Sequence, residues 1–240
     1  MKKNLFMFVL VILASLFIFR GVTAFAASQR PHASTAVTIT VSSTSNGKVG
    51  TGFAGFSYEK DRVGAGMFSV SNTKLVNLFR TLGPSVLRLG GNLVDKVNWN
   101  ASGAGGSATQ IAPADVTKLA AFLQATGWKT LYGINLKTNT AANAASEAQF
   151  AAKALGSSLL AFEIGNEPNL YRNETEAAYD SSFKSYVRAI RAKVPNAKFD
   201  GPGADQGNSS WAQQFAAQEK GTITNLTQQK YSGGNGGGTI

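Results

Sequence analysis

From residue 52 onward, short apolar runs alternate with longer stretches in which apolar residues recur every three or four positions. The short runs are GFAGFSY (52–58), SVLRLG (85–90), WKTLYGIN (128–135), SLLAFEIGN (158–166), AKFDGPG (197–203) and TITNLTQ (222–228). Their length, alternation and β-branched or aromatic content predict strands. The longer stretches predict helices over 73–82, 113–126, 144–155, 176–194 and 209–219. Pro113 suits the first turn of its helix, and Gly83, Gly127 and Gly156 stand where helix ends favour glycine. A separate β-branched run, VTITV (37–41), predicts one more short strand, isolated from the rest by SSTSNGK.

Six strands alternating with five helices predict a parallel α/β sheet, either open and doubly wound or curled into an incomplete (β/α)8 TIM barrel. An open nucleotide-binding sheet carries a Gly-rich phosphate loop after its first strand. Here that connection, EKDRVGAGMFSVSN, holds a lone G-x-G that does not directly open a helix. The Gly/Ser stretch ASGAGGSATQ (101–110) reads as a flexible loop between a strand and a helix. Polar residues instead gather at the predicted strand ends: Tyr58-Glu59, Gly91-Asn92, Asn135 and Asn166-Glu167. Barrels place their chemistry there, so the barrel is the expectation.

The N-terminus follows a different pattern. Lys2 and Lys3 precede an apolar run from Leu5 to Phe19, then Arg20 and TAFAAS. This predicts a secretory signal over 1–26, with Ala24-Phe25-Ala26 at the cleavage site. The run falls short of the roughly 20 residues of a spanning helix, so no membrane anchor is expected after cleavage. The expected plan is signal 1–26, an N-terminal segment with a short strand over 27–50, and a partial barrel over 51–240, secreted or extracytoplasmic.

Composition narrows the chemistry. There is no cysteine and one histidine, His32, which excludes Ser-His-Asp and Cys-His catalysis, thiol redox chemistry and nearly every zinc site. No cofactor or metal is implied. Loss of Lys2, Lys3 and Arg20 with the signal lowers the formal net charge from +10 to +7. The remaining basic residues are scattered without the basic-aromatic pattern of a nucleic-acid module, leaving an acidic polysaccharide as a weakly favoured partner.

Carboxylates remain, and glycoside hydrolysis is the main reaction class that needs two of them with no cysteine, histidine or metal. The stretch FEIGNEPNLY (162–171) places Glu167 after a strand and before Pro168. That proline is expected to hold Glu167 in an extended backbone, while Asn166 can exchange hydrogen bonds with a sugar hydroxyl. Strand alternation puts Glu163 on the same face as Glu167, inside the barrel, where an unpaired charge is costly. Arg88 on the second strand is the expected partner, in a pair that supports the site without doing chemistry.

FEIGNEPNLY, together with GFSYEKD at the first strand and LRLGGNLVDKVNWN at the second, resembles glycoside hydrolase family 79, the heparanase and β-glucuronidase-like enzymes. The likeness runs from about Val37 to the C-terminus. It implies a retaining glycosidase on β-glucuronides or related uronic-acid glycans, with Glu167 as acid/base and Asn166 at the sugar 2-hydroxyl. By the same likeness Glu59 and Asp95 line the glycone pocket, with Asn92 and Tyr231 as further substrate contacts. The family nucleophile is a glutamate at the end of a seventh strand. No acid here matches it, since the last is Glu219, ahead of the sixth strand. Gln228-Gln229-Lys230-Tyr231 also stands where family members carry His and Tyr. The expectation is a fragment without hydrolase activity of its own. The alternative is a noncatalytic carbohydrate-binding protein on a degenerate barrel.

Overall fold

The computed structural model describes residues 40, 43–45, 47–50, 52–205, 207 and 209–231. The expected signal lies outside the described residues, as does the predicted strand at 37–41 apart from Thr40. The chain divides into two units, Met1–Gly47 and Lys48–Ile240, and the second carries the fold.

Six strands form one parallel sheet: β1 (Gly55–Glu59), β2 (Val86–Gly90), β3 (Lys129–Ile134), β4 (Leu159–Ile164), β5 (Phe199–Ala204) and β6 (Ile223–Gln228). Each pairs with the next in chain order, with no reversal. A doubly wound sheet reverses at a switch point, whereas a barrel advances in one direction. The fold is therefore six strands of a (β/α)8 barrel. Helices α1 (Thr73–Leu82), α2 (Pro113–Thr126), α3 (Ala141–Leu155), α4 (Glu176–Lys193) and α5 (Ser209–Glu219) alternate with the strands.

Helix starts follow from local hydrogen bonding. The side chains of Asn72, Thr140 and Thr175 accept from the backbone N–H groups of Leu75, Asn143 and Ala178 at the heads of α1, α3 and α4. Asp115 accepts from the Ala112 N–H at 3.0 Å at the start of α2. α3 begins at Ala141, three residues before the predicted start, because the Thr140 cap, rather than apolar periodicity, defines that end. The Gly/Ser loop holds structure the sequence pattern did not predict: Asn98–Trp99 pairs with Gln110–Ile111 in a two-stranded parallel sheet.

Strand alternation sorts the core. Leu87, Leu89, Tyr132, Ile134, Phe162, Ile164 and Phe199 are buried and join the helix residues Phe79, Phe122, Phe183 and Phe215 in one hydrophobic core. Rings interlock at 4.5 Å for Phe79 with Trp128 and 4.9 Å for Phe183 with Phe215. The intervening positions, including Arg88, Glu163 and Asp200, form a polar set carried by neighbouring strands.

A second charged group is packed beyond the end of β1. The Lys60 ammonium lies 2.8 Å from Glu147 Oε1 on α3, also donates to the Gly133 carbonyl, and sits 3.7 Å over the Tyr132 ring. Burial pulls the Lys60 pKa down, and Glu147 opposes that pull. The network anchors the turn directly after Glu59 and so positions a residue of the site.

Candidate functional site

The ends of β1, β2 and β4 converge with the segment after β6. Gly165 and Glu167 both have positive φ, 80° and 47°, so the chain after Ile164 turns sharply instead of running on extended. This corrects the expectation drawn from Pro168. The Glu167 N–H donates to the Gly203 carbonyl on β5 at 3.0 Å, and the Asn166 N–H to Tyr171 Oη at 3.3 Å. Those bonds hold Glu167 left-handed, and Pro168 opens a 3-10 turn over Pro168–Leu170. A non-glycine residue there stores about 1–3 kcal/mol of strain, the kind of cost found at functional sites.

Glu167 is only 8% exposed. Tyr231 donates to its Oε1 at 3.2 Å, and the Asn166 amide approaches its Oε2 at 3.5 Å. Partial burial first, and the Glu167 charge second, raise the Tyr231 pKa, keeping that hydroxyl a donor. Asn166 is itself fixed: its Oδ1 accepts from Arg88 at 2.9 Å and its Nδ2 donates to Asn92 Oδ1 at 3.3 Å. Arg88 in turn lies 2.6 Å from Glu163, which is fully buried. The chain Glu163, Arg88, Asn166 thus carries order from the barrel interior to the neighbour of Glu167.

Glu59 and Asp95 also reach this region, with their oxygens largely committed to the protein. Glu59 accepts from the backbone N–H groups of Asn92 at 3.2 Å and Leu93 at 2.6 Å. A side chain at Gly91 would strike the Glu59 carboxylate, and Gly91 has φ 71°, so the glycine is needed for this wrap. Asp95 accepts from the Leu136 and Lys137 N–H groups and from Tyr171 Oη. Burial raises its pKa, the Tyr171 hydrogen bond opposing. Asp95 therefore clamps three loops together.

Two cavities flank Asn92 and Asn166. One of about 160 Å³ is lined by Ser57, Glu59, Arg88, Gln229 and Tyr231; the other, of about 340 Å³, by Asp95, Lys96, Lys137, Glu167 and Tyr171. Glu167 lines the larger one, beside Asn166, and its Oε1 accepts from Tyr231 of the smaller one. The sequence reading missed Tyr171, although it closes the same quoted decapeptide. Its partner Asp95 is far away in sequence, and no periodicity links them. Among the described residues, no group of three or more His, Cys, Asp or Glu side chains is placed to hold a metal ion. No helix among them is long and apolar enough to cross a membrane.

Asp200, paired with Glu163 across β4 and β5, has one oxygen bound to Asn225 and the other without a partner among the described residues. Burial chiefly, with the Glu163 charge adding to it, pushes its pKa up to about 6 against an ordinary value of 3.8. The folded state therefore holds this proton more tightly than the unfolded chain. Its contribution is fully present below the unfolded value and is lost as pH rises through 6. Asp200→Asn is expected to raise the urea midpoint at pH 7.5 relative to pH 4.5, flattening the profile. Parallel profiles for variant and wild type would exclude Asp200 as the titrating group.

No family model matches the sequence, and no curated protein matches it. Solved structures share the fold. A 4-O-α-L-rhamnosyl-β-D-glucuronidase from Fusarium oxysporum superposes with TM-score 0.62 at 17% identity, over 76% of this chain and 45% of that one. The family 51 α-L-arabinofuranosidase AbfB from Bifidobacterium longum gives TM-score 0.55 at 14% identity, over 75% and 44%. A monomeric β-xylosidase from Caulobacter crescentus gives 0.51 at 18%, over 76% and 42%. The chain spans less than half the length of these proteins. The shared feature is the barrel fold, common to all three.

Proposed function

We propose that these residues form the acid/base half of a retaining glycoside hydrolase site for β-glucuronides or related uronic-acid glycans. The observation that carries the reading is Glu167: a buried carboxylate held in a strained turn at a barrel strand end, lining the larger cavity and bonded to Tyr231 of the smaller one. In this reading the smaller cavity takes the glycone and the larger one the leaving group. Glu167 protonates the glycosidic oxygen as the bond breaks, then takes a proton from water in the second step. Asn166, pinned by Arg88, presents its amide to a sugar hydroxyl. The uronic-acid preference comes from the resemblance of the three sequence motifs to family 79, and the glucuronidase of like fold is consistent with it. Export by the N-terminal signal belongs to the same proposal.

A second reading, noncatalytic carbohydrate binding, is favoured by one observation: among the described residues the neighbouring acids Glu59, Asp95 and Glu163 are engaged by backbone N–H groups or by Arg88. Both readings require a sugar site. Titration of the 240-residue chain with methyl β-glucuronide is expected to show saturable binding, followed by chemical shifts at Asn92, Asn166 and Glu167. Asn166→Ala should weaken it about ten-fold, the loss of one or two well-placed hydrogen bonds. Absence of saturable binding would overturn both readings.

A further inference from the structure

The barrel interior holds two carboxyl groups whose hydrogen bonding is incomplete. Glu163 on β4 and Asp200 on β5 are register partners, and each is fully buried. Arg88 reaches Glu163 through Oε2 alone, with its Nε at 2.7 Å and its Nη2 at 2.6 Å. Asp200 Oδ1 accepts from the backbone N–H of Asn225 on β6 at 3.0 Å and from its side-chain amide at 2.9 Å. The other oxygen of each, Glu163 Oε1 and Asp200 Oδ2, is buried without a hydrogen-bond partner among the described residues. Two such acceptors side by side in a dry interior are costly. One proton satisfies both: it turns Asp200 Oδ2 into a donor, and Glu163 Oε1 accepts.

The surroundings place that proton on Asp200. Arg88 supplies a positive charge to Glu163, whereas Asp200 has no ion-pair partner among the described residues. On its other sides Asp200 meets the uncharged Asn225 of β6, and the helices behind β5 bring Phe183 and Phe215. Tyr179 of α4 donates its hydroxyl to the Ile164 carbonyl at 3.1 Å, and burial first, then the Glu163 charge, keeps that hydroxyl protonated.

We propose that Asp200 is a positioning residue for the sugar site: it shares one proton with Glu163 across β4 and β5, which leaves the Glu163 charge to hold Arg88 against Asn166. Arg88 Nη2 donates to Asn166 Oδ1 at 2.9 Å, and Asn166 stands beside Glu167. When the proton leaves, two carboxylates face each other around one guanidinium, and Arg88 is drawn between them and away from Asn166. Sugar binding therefore weakens as pH rises through the Asp200 transition at about 6, and by reciprocity a bound sugar tightens the hold on the proton. The effect on binding rests on the reading of Asn166 and Glu167 as a sugar site; the shared proton does not.

In the isotope-labelled 240-residue chain, the carboxyl carbons of Glu163 and Asp200 are expected to move together by NMR in one step at about pH 6, the mark of a coupled pair. The Arg88 Nε–H and the Asn166 side-chain amide should follow the same step. By calorimetry, methyl β-glucuronide should bind about three-fold tighter at pH 5 than at pH 7.5, and saturation with it should raise the step by about half a pH unit. Asp200→Asn keeps a donor toward Glu163 at every pH, so it should abolish the step at Arg88 and Asn166 together with the affinity difference. Comparison with that variant removes any contribution of Glu167 itself. Asp200→Leu supplies no donor and should bind weakly at both pH values. Separate steps for the two carboxyls, a pH dependence that survives Asp200→Asn, or Asp200→Leu binding like wild type at pH 5 would each overturn the proposal. No sugar binding at any pH, with the shared step reaching Arg88 and Asn166, would overturn the sugar-site reading and support the hold on Asn166. Sugar binding with no step at Arg88 or Asn166 would overturn the proposal alone.

Discussion

The purified 240-residue chain is expected to release no aryl alcohol from an aryl β-glucuronide in plain buffer, and to release it once azide is supplied. All thirteen acidic side chains of the chain are among the described residues. A retaining site needs its two carboxyl groups about 5 to 5.5 Å apart, one of them free to attack the anomeric carbon. Glu163 is ion-paired to Arg88, Glu59 is wrapped by backbone N–H groups, and Asp95 is clamped by Leu136, Lys137 and Tyr171. Asp205, beyond β5, accepts from the Gly207 N–H at 3.2 Å. Each of these four is therefore engaged by the protein at one oxygen or more.

Turnover in buffer should therefore lie at least roughly 10⁴-fold below that of a complete pair. Azide can enter from the face the missing carboxylate would occupy. A nitrogen of azide bonds to the anomeric carbon, the bond to the aryloxy oxygen breaks, and that oxygen takes the Glu167 proton, leaving an α-glucuronyl azide. Glu167→Gln should keep the azide reaction with a dinitrophenyl leaving group, which departs without a proton. With a phenyl leaving group it should lose about 10²–10⁴-fold, the usual worth of general acid catalysis. Robust turnover in plain buffer would mean that a second carboxylate of this chain does act. Binding of methyl β-glucuronide with no azide reaction would favour the noncatalytic reading.

Which parts of this site could be read from the sequence depends on the range of the interaction. Strand parity is local, so the positions of Arg88 and Glu163 on inward-facing alternate residues were readable, as were the helices at 113–126 and 209–219. The backbone of Glu167 was not. A local rule about residues before proline predicted extension, and two hydrogen bonds, to Gly203 on β5 and to Tyr171 Oη, override it. The clamp of Asp95 by Tyr171 and the β3 loop joins segments that share no periodicity. The pairing of Asn98–Trp99 with Gln110–Ile111 is two residues long and carries no alternation to detect. The early strand limit of 52 failed for a related reason: residues 52–54 have the composition of a strand but no neighbouring strand to pair with until Gly55 meets Val86.

Glu163→Ala should destabilise the chain by about 3 kcal/mol, because it leaves the Arg88 guanidinium in the barrel without its partner. The figure lies at the low end for a buried pair since Arg88 keeps 16% of its side-chain surface in contact with solvent, while Glu163 keeps none. A smaller effect opposes it: removing the Glu163 charge relieves Asp200, whose pKa that charge helps to raise. At pH 5, where Asp200 is mostly protonated, this relief shrinks, so the variant should lose more relative to wild type there than at pH 7.5. The double variant Arg88→Met/Glu163→Leu separates stability from site order. Replacing both charges with apolar groups of similar size should restore stability to within about 1 kcal/mol of wild type. It cannot restore the donor to Asn166 Oδ1, so binding of methyl β-glucuronide should still fall about ten-fold. Urea unfolding and calorimetry on the same samples measure the two effects. A double variant that binds like wild type would show that Arg88 does not position Asn166. One as unstable as Glu163→Ala would show that the barrel interior needs this ion pair to fold, beyond needing it filled.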